Sequence, residues 1–267
     1  MINFWQKLPK PFTVLAPMED VTNFSFREMM TEIGKPDVIF TEFVAADGLV
    51  YNKSGKVLEK LKYSEKQRPI VAQIWGTNLS NLEIAARTIE KLEFDGIDIN
   101  MGCPAKDVVK LGGGAGMIKS PEKAMQAIQA VRKAVKIPIS VKTRLGWNFE
   151  IFRNSGISAL TLHARTPGQM SKGQADWEKI GELVKLNLGI TIIGNGDITS
   201  YEEVYEKHKT YGVDGVMIGR GMFANPAIFA NKILTKEERL NYFGKYKNPI
   251  FLRGFRGAKQ LRIMYNK

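Results

Sequence analysis

The 267-residue sequence holds one cysteine, two histidines and few acids, 27 against 39 lysines and arginines. A single cysteine forms no internal disulfide, which fits a reducing cytoplasm. With only two histidines beside it, a dedicated zinc centre is not expected, nor is another metal. No apolar run approaches the ~20 residues that span a bilayer, and MINFWQKLPKPF lacks the apolar core of a secretory signal. The expectation is a cytoplasmic protein without a membrane partner, and a monomer. What is present is a hydrophobic fraction of 44%, enough for a substantial core. The length suits one barrel-sized domain with a small appendage.

The net charge of +12 is unevenly spread. From Lys232 onward the bases are Lys232, Lys236, Arg239, Lys245, Lys247, Arg253, Arg256, Lys259, Arg262 and Lys267, against Glu237 and Glu238 alone, so this tail carries 10 − 2 = +8. Such a run is either a solvated face or a footprint for a phosphate backbone, and composition leaves both open.

Short apolar runs alternate with longer amphipathic ones. The strand candidates are 13–16, 38–41, 70–74, 96–100, 139–143, 159–163, 191–194 and 215–218. They are continuous rather than alternating, as parallel strands covered by helices should be. Apolar spacing predicts helices over 79–92, 121–135, 176–186 and 200–209, with Ser120 as N-cap before Pro121. Eight β-then-α units predict a (β/α)8 barrel, a TIM barrel, over residues 1–231, with a short, basic, helical extension over 232–267. A doubly wound open sheet is the second choice.

Polar or glycine residues cluster at the carboxyl ends of these strands: Pro17-Met18, Glu42, Gln73, Asn100, Lys142 with Arg144, His163, Asn195 to Asp197, and Gly219-Arg220. That is the face where barrel active sites lie. Gly194 to Asp197 and Gly219 to Gly221 follow the last two strands, where barrels frequently hold a cofactor phosphate; plain tight turns are the alternative. Cys103 closes the fourth strand before a glycine-rich stretch. A lone cysteine is commonly a small buried hydrophobe, but a thiol at the reactive face is mainly protonated near neutrality and can donate a proton. Lys142 and Arg144 share one side of their strand, and a lysine there can stabilise developing negative charge. His163 can bond a ligand or serve the fold, and His208, in a lysine-rich helix, reads as surface.

Together the motifs LAPMEDVTNFSFR (15–27), TEFV (41–44), QIWG (73–76), DGIDINMGCP (95–104), GGGAGMI (112–118), VKTRLGW (141–147), ALTLHART (159–166), ADW (175–177), IIGNGDI (192–198) and DGVMIGRGMFANPAIF (214–229) resemble the tRNA-dihydrouridine synthase family. The resemblance implies an FMN-dependent barrel oxidoreductase that reduces the C5–C6 bond of uridine in tRNA with NADPH or NADH. It implies that Ala16, Pro17 and Met18 line the flavin, and that Gln73 and Lys142 bond it. Asn195, Gly196, Asp197, Gly219 and Arg220 would hold the phosphate end, with His163 nearby. Asn100 and Arg144 would orient the uracil, and Cys103 would protonate C5 while hydride reaches C6.

GFRGAKQLR (254–262) resembles part of that family's tRNA-gripping carboxy-terminal domain, here abbreviated. Between Trp147 and Ala159 the chain is also shorter than the family pattern, leaving Phe149 to Ser155 for a fifth crossover helix. A flavin reductase of free pyrimidines and a non-catalytic tRNA-binding relative are the competing readings.

Overall fold

In the computed structural model, residues 3–51, 55–253 and 258–265 are described. Eight strands form a closed, all-parallel barrel in sequence order. They are β1 (Phe12–Leu15), β2 (Val38–Ala45), β3 (Ile70–Trp75), β4 (Gly96–Met101), β5 (Ile139–Arg144), β6 (Ala159–His163), β7 (Thr191–Asn195) and β8 (Gly215–Ile218). Pairing of β1 with β8, from Phe12 with Gly215 to Leu15 with Ile218, closes the ring. The open sheet is thereby excluded. Predicted and observed strands coincide, with six of the eight carboxyl ends moving by a residue or more.

Strand parity separates two cores. On β4 and β5, Ile97, Ile99, Ile139 and Val141 join the outer core beneath the helices, while Asp98, Asn100, Ser140 and Lys142 point into the barrel. This follows from the two-residue period of a strand. Helices α1 (Phe24–Gly34), α2 (Ala46–Tyr51), α3 (Lys56–Lys60), α4 (Leu79–Lys91), α5 (Lys106–Lys110), α6 (Pro121–Ala134), α7 (Trp177–Lys185), α8 (Glu202–Tyr211) and α9 (Gly221–Ala224) follow in the crossovers. Asn78 caps α4 and Asp176 caps α7 through their side chains. Ser120 holds the N-cap position of α6 with Pro121 first in the helix, as expected, but its carbonyl accepts from the Ala124 amide while its side chain makes no capping bond.

The lower barrel interior is filled by Phe12, Val14, Val38, Phe40, Val71, Ala159 and Ile193. A 3-10 turn, Phe4–Lys7, drives Trp5 beneath them, fully buried, with ring centroids 6.0 Å from Phe12 and 6.3 Å from Phe40. Packing at that end leaves the cavity at the other.

Two elements depart from the sequence expectation. The fifth crossover contains no α-helix, only a 3-10 turn at Phe149–Phe152. Trp147 and Phe152 fill the gap with rings 5.4 Å apart in edge geometry, and Phe152 is completely buried. Arg153 then donates to the Leu186 and Asn187 carbonyls at 2.7 and 3.0 Å, tying the loop to the end of α7. Too few residues remain for a helix, so aromatic volume takes its place.

The tail also differs from a freely solvated basic arm. Helix α10 (Lys236–Tyr246) begins with a capping box of Thr235 and Glu238 and sits on α1, where Lys245 and Tyr246 both bond Glu32. Ile250, Phe251 and Leu252 are buried. Arg239 is buried as well, with the Leu234 and Ala224 carbonyls as partners at 3.4 and 3.2 Å. Lys232 pairs with Glu238 at 2.5 Å. Helix α11 (Ala258–Tyr265) ends the described chain. Residues 254–257, which open the GFRGAKQLR motif and include Arg256, lie outside the described residues, as do Lys267 and the Arg262 side chain. No helix is long and apolar enough to cross a membrane, among the described residues.

Candidate active site

A cavity of about 620 Å³ opens at the carboxyl ends of the strands. Its size falls in the range of small-molecule and cofactor sites. Every site residue expected from the sequence lines it. Ala16, Pro17 and Met18 come from the end of β1, Gln73 from β3, Asn100 and Cys103 from β4 and its loop, Lys142 and Arg144 from β5. His163 comes from β6, Asn195, Gly196 and Asp197 from the end of β7, and Gly219 and Arg220 from the end of β8.

Glu42 does not line it. The pairing of β2 with β3 slips between Phe40 and Phe43, so Phe43, opposite Gln73, takes the inward place that simple alternation assigns to Glu42. Glu42 is buried instead, accepting from the Asp20 amide at 2.8 Å. Glu19, Asp20 and Glu42 bring carboxylate oxygens within 4.8 Å of one another, and Lys60 answers them from α3 by pairing with Glu19 and Glu42.

The Cys103 loop is held at each backbone group near the thiol. The Gly102 and Cys103 amides donate to Asn100 Oδ1 at 3.1 and 2.9 Å. The Gly102 carbonyl accepts from Arg144 Nε at 2.8 Å, and the Cys103 carbonyl accepts from the Ala115 amide at 2.9 Å. Gly114 makes this possible. Its φ is +52°, and a Cβ there would stand 2.6 Å from the Cys103 carbonyl oxygen. Arg144 also donates to the Met170 carbonyl at 2.7 Å, so it staples the loop as well as facing the cavity.

The lining is strongly cationic. Lys142, Arg144, Arg165 and Arg220 face it, against Asp197 as the lining carboxylate. Burial pushes the Lys142 ammonium down to about 8, with Arg144 adding repulsion and Asp98 opposing. No hydrogen bond or ion pair to Lys142 occurs among the described residues. A half-buried cation with no partner among the described residues, at a cavity wall, suits an anionic or electron-rich ligand.

Burial, reinforced by Lys142, Arg144, Arg165 and Arg220, holds His163 neutral by lowering its pKa far below the usual value. Arg165 lies 3.2 Å from His163 Nε2. Arginine only donates, so Nε2 accepts and the ring proton sits on Nδ1.

Arg165 was not singled out from sequence. It is 2% exposed and bonds both oxygens of Asp197, at 2.7 and 2.5 Å. Ala175 also donates to Asp197 at 2.8 Å, and Arg220 stands 3.4 Å away. Burial alone would raise the Asp197 carboxyl, but the Arg165 bond and the Ala175 amide bring it below the usual range. Asp197 therefore positions cations around the cavity rather than standing free for a ligand. The signal for Arg165 was its two-residue offset from His163.

His208 is not a plain surface residue: its Nδ1 lies 2.6 Å from the Val213 carbonyl, pinning the end of α8 beside β8. Asp98 was also missed; it lies fully buried below the cavity, where burial raises its carboxyl to about 6.

The phosphate expectation was for backbone loops at the ends of β7 and β8 followed by helix starts. Both loops line the cavity, and Gly196 has a φ of +140° with no room for a Cβ beside Ala175. After β8 the helix is one turn, α9, and after β7 the helix begins only at Glu202. The residues fit a phosphate-bearing flavin: cations outnumber the lining carboxylate, the Lys142 amine is unpartnered, and the space suffices.

Comparison with known proteins adds independent findings. The family model "Dihydrouridine synthase (Dus)" matches residues 14–249. The chain is 40% identical to the "Probable tRNA-dihydrouridine synthase 2" of Bacillus subtilis (strain 168), covering 97% of this chain and 90% of the relative. It is 39% identical to the "Probable tRNA-dihydrouridine synthase" of Staphylococcus aureus (strain COL), with the same coverage. The Bacillus alignment runs over 296 positions, so at least 296 − 267 = 29 of them are gaps on the side of this chain.

Proposed function

Because the chain belongs to the dihydrouridine synthase family, we propose that it is an FMN-dependent enzyme that reduces uridine in tRNA to dihydrouridine. The observation that carries this is the convergence of Cys103 and the unpartnered Lys142 on one cationic cavity.

Reduced by NADPH, or by NADH, bound FMN would supply the hydride taken up at C6 of the uracil. Lys142 would hold the flavin ring from β5 and bear against the negative charge that reduction places there. Ala16, Pro17 and Met18 offer the wall at the end of β1, with Gln73 beside them. Arg220 and the Asn195-Gly196 and Gly219 backbones would hold the phosphate, with Asp197 setting the two arginines and His163 offering its Nδ1 proton. Asn100 keeps one amide hydrogen for the uracil, and Arg144 faces the same space. Cys103 would give its thiol proton to C5, opposite the hydride.

The barrel to residue 231 would carry the chemistry and residues 232–267 the tRNA contact, in a cytoplasmic monomer. Exposed Lys236 and Lys259 support that division; Arg239, Lys232 and Lys245 are engaged within the protein.

The test is mass-spectrometric mapping of dihydrouridine in unmodified tRNA, before and after addition of the FMN-loaded protein and NADPH. New dihydrouridine at defined positions supports the proposal. Protein that stays colourless after reconstitution with FMN overturns it. Turnover of free pyrimidines with tRNA untouched would instead mark a small-molecule reductase, and salt-dependent tRNA binding without flavin a non-catalytic relative.

A further inference from the structure

One fully buried carboxylate has no place in the chemistry above. Asp98 does not line the cavity, yet it begins an unbroken line of hydrogen bonds that ends at Cys103. Ser140 Oγ donates to its Oδ1 at 2.6 Å, and Gln73 Nε2 donates to its Oδ2 at 2.8 Å. Gln73 Oε1 accepts from Asn100 Nδ2 at 2.9 Å, and Asn100 Oδ1 accepts from the Gly102 and Cys103 amides. Strand register sets the spacing, since Gln73 pairs with Asp98 and Asp98 with Ser140.

We infer that Asp98 is a positioning residue whose carboxylate sets the direction of this relay and so holds the Cys103 loop in its working shape. The reason is the donor inventory. An ionised carboxylate only accepts, so Gln73 must turn its NH2 toward Asp98 and its carbonyl toward Asn100. Asn100 must then give its NH2 to Gln73 and keep its carbonyl for the two loop amides, which only donate. Each amide side chain has two orientations of nearly equal shape, and the end groups permit just one of them. Gln73 and Asn100, which both line the cavity, each use one amide hydrogen in this line and keep the other outside it. Its catalytic meaning rests on the reading of Cys103 as proton donor, but the relay itself is independent of flavin and tRNA.

Asp98→Asn replaces an acceptor by a donor at nearly constant volume. The new amide can still accept from Gln73 by turning its NH2 to the Ser140 hydroxyl, so this variant alone leaves both directions of the line open. Asn100→Asp is the variant that breaks it, since Gln73 then meets carboxylates on both sides. The double variant, Asp98→Asn with Asn100→Asp, reverses the whole line and satisfies it again. The new amide at position 98 donates to Gln73, Gln73 donates to the new carboxylate at position 100, and that carboxylate accepts from the loop.

The chain has one cysteine, so alkylation by iodoacetamide reads Cys103 alone. In folded, ligand-free protein Asn100→Asp is expected to change the labelling rate by on the order of tenfold, the scale of one lost buried hydrogen bond, and Asp98→Asn by less. The double variant is expected to return it to within about twofold of wild type, inside the usual error of additivity. Hydrogen exchange at the Gly102 and Cys103 amides should follow the same order. Wild-type labelling in Asn100→Asp, or a double variant no better than Asn100→Asp alone, overturns the inference. If a single variant does not fold, the double decides: folded with wild-type labelling supports the relay, and unfolded or altered labelling refutes it. Loss of dihydrouridine formation plays no part in this readout, so a failure of the enzymatic reading and a failure of the relay are separate results.

Discussion

Arg144 Nε donates to the Gly102 carbonyl at 2.8 Å, joining a cavity cation to the residue that precedes Cys103. Its Nη1 donates to the Met170 carbonyl at 2.7 Å, so one guanidinium spans two loops. Lysine has neither the Nε–H nor the fork. Arg144→Lys is therefore expected to lower kcat/KM for uridine reduction by roughly ten- to a hundredfold while flavin still binds. Single-turnover dihydrouridine formation measures it, and unchanged turnover would remove the staple from the mechanism.

Cys103→Ala separates the two half-reactions. The variant is expected to bind FMN and accept electrons from NADPH at the wild-type rate, since the thiol is assigned to neither step. Uridine reduction should fall by about 10²-fold or more, the usual contribution of a general acid. Flavin bleaching under anaerobic conditions reports the first step and dihydrouridine mapping the second. An undiminished second step would sink the acid assignment.

Gly114→Ala asks the loop to accept a side chain at a φ of +52°, against the Cys103 carbonyl. The backbone penalty alone is about 1–3 kcal/mol. For a protein of this size that is a fall in Tm of roughly 2–4 °C per kcal/mol, and Cys103 labelling should change with it. A melt indistinguishable from wild type would mean that the loop adjusts freely.

Lys142 links stability to pH. Its folded value is about 8, below the unfolded value near 10.5, because burial disfavours the charged form. Between those values the unfolded chain binds more protons, so stability rises with pH there. Below about 8 the penalty is fully present. Lys142→Met is thus expected to raise the Tm of ligand-free protein at pH 7, with the advantage shrinking as pH climbs from 8 toward 10.5. A calorimetric series from about pH 6 to about pH 10 checks the sign across that window, and flavin affinity should fall in the same variant.

Phe152 substitutes for the absent crossover helix. Phe152→Ala removes a completely buried ring and is expected to cost about 3–5 kcal/mol, read from the urea midpoint. A loss under about 1 kcal/mol would show that the loop collapses over the cavity.

Much of this molecule was legible from residue pattern. The run from Gly96 to Asn100 reads as a buried strand with Asn100 at its reactive end, whereas the inward place of Asp98 within it emerges only in the barrel. Strand parity brings Lys142 and Arg144 to one wall. Alternation fails where pairing slips: at Glu42 the bulge exchanges two neighbours, and only the register against β3 reveals it. Arg239 reads as one more base in a basic tail, but the fold buries it and turns it to the Leu234 and Ala224 carbonyls.

By itself, then, the sequence determined the order of strands and of most helices, the barrel they close and most of the side chains at its mouth, Arg165 and Phe43 excepted. Those depend on local backbone period and on which end of each strand a residue occupies. The tertiary structure alone decided the partnerships: Asp197 with Arg165, Asp98 with Gln73, Arg144 with the Gly102 carbonyl. A hydrogen bond needs two groups within about 3 Å at a suitable angle. These partners come from different strands and loops, and no pattern along one strand specifies the register that brings them together.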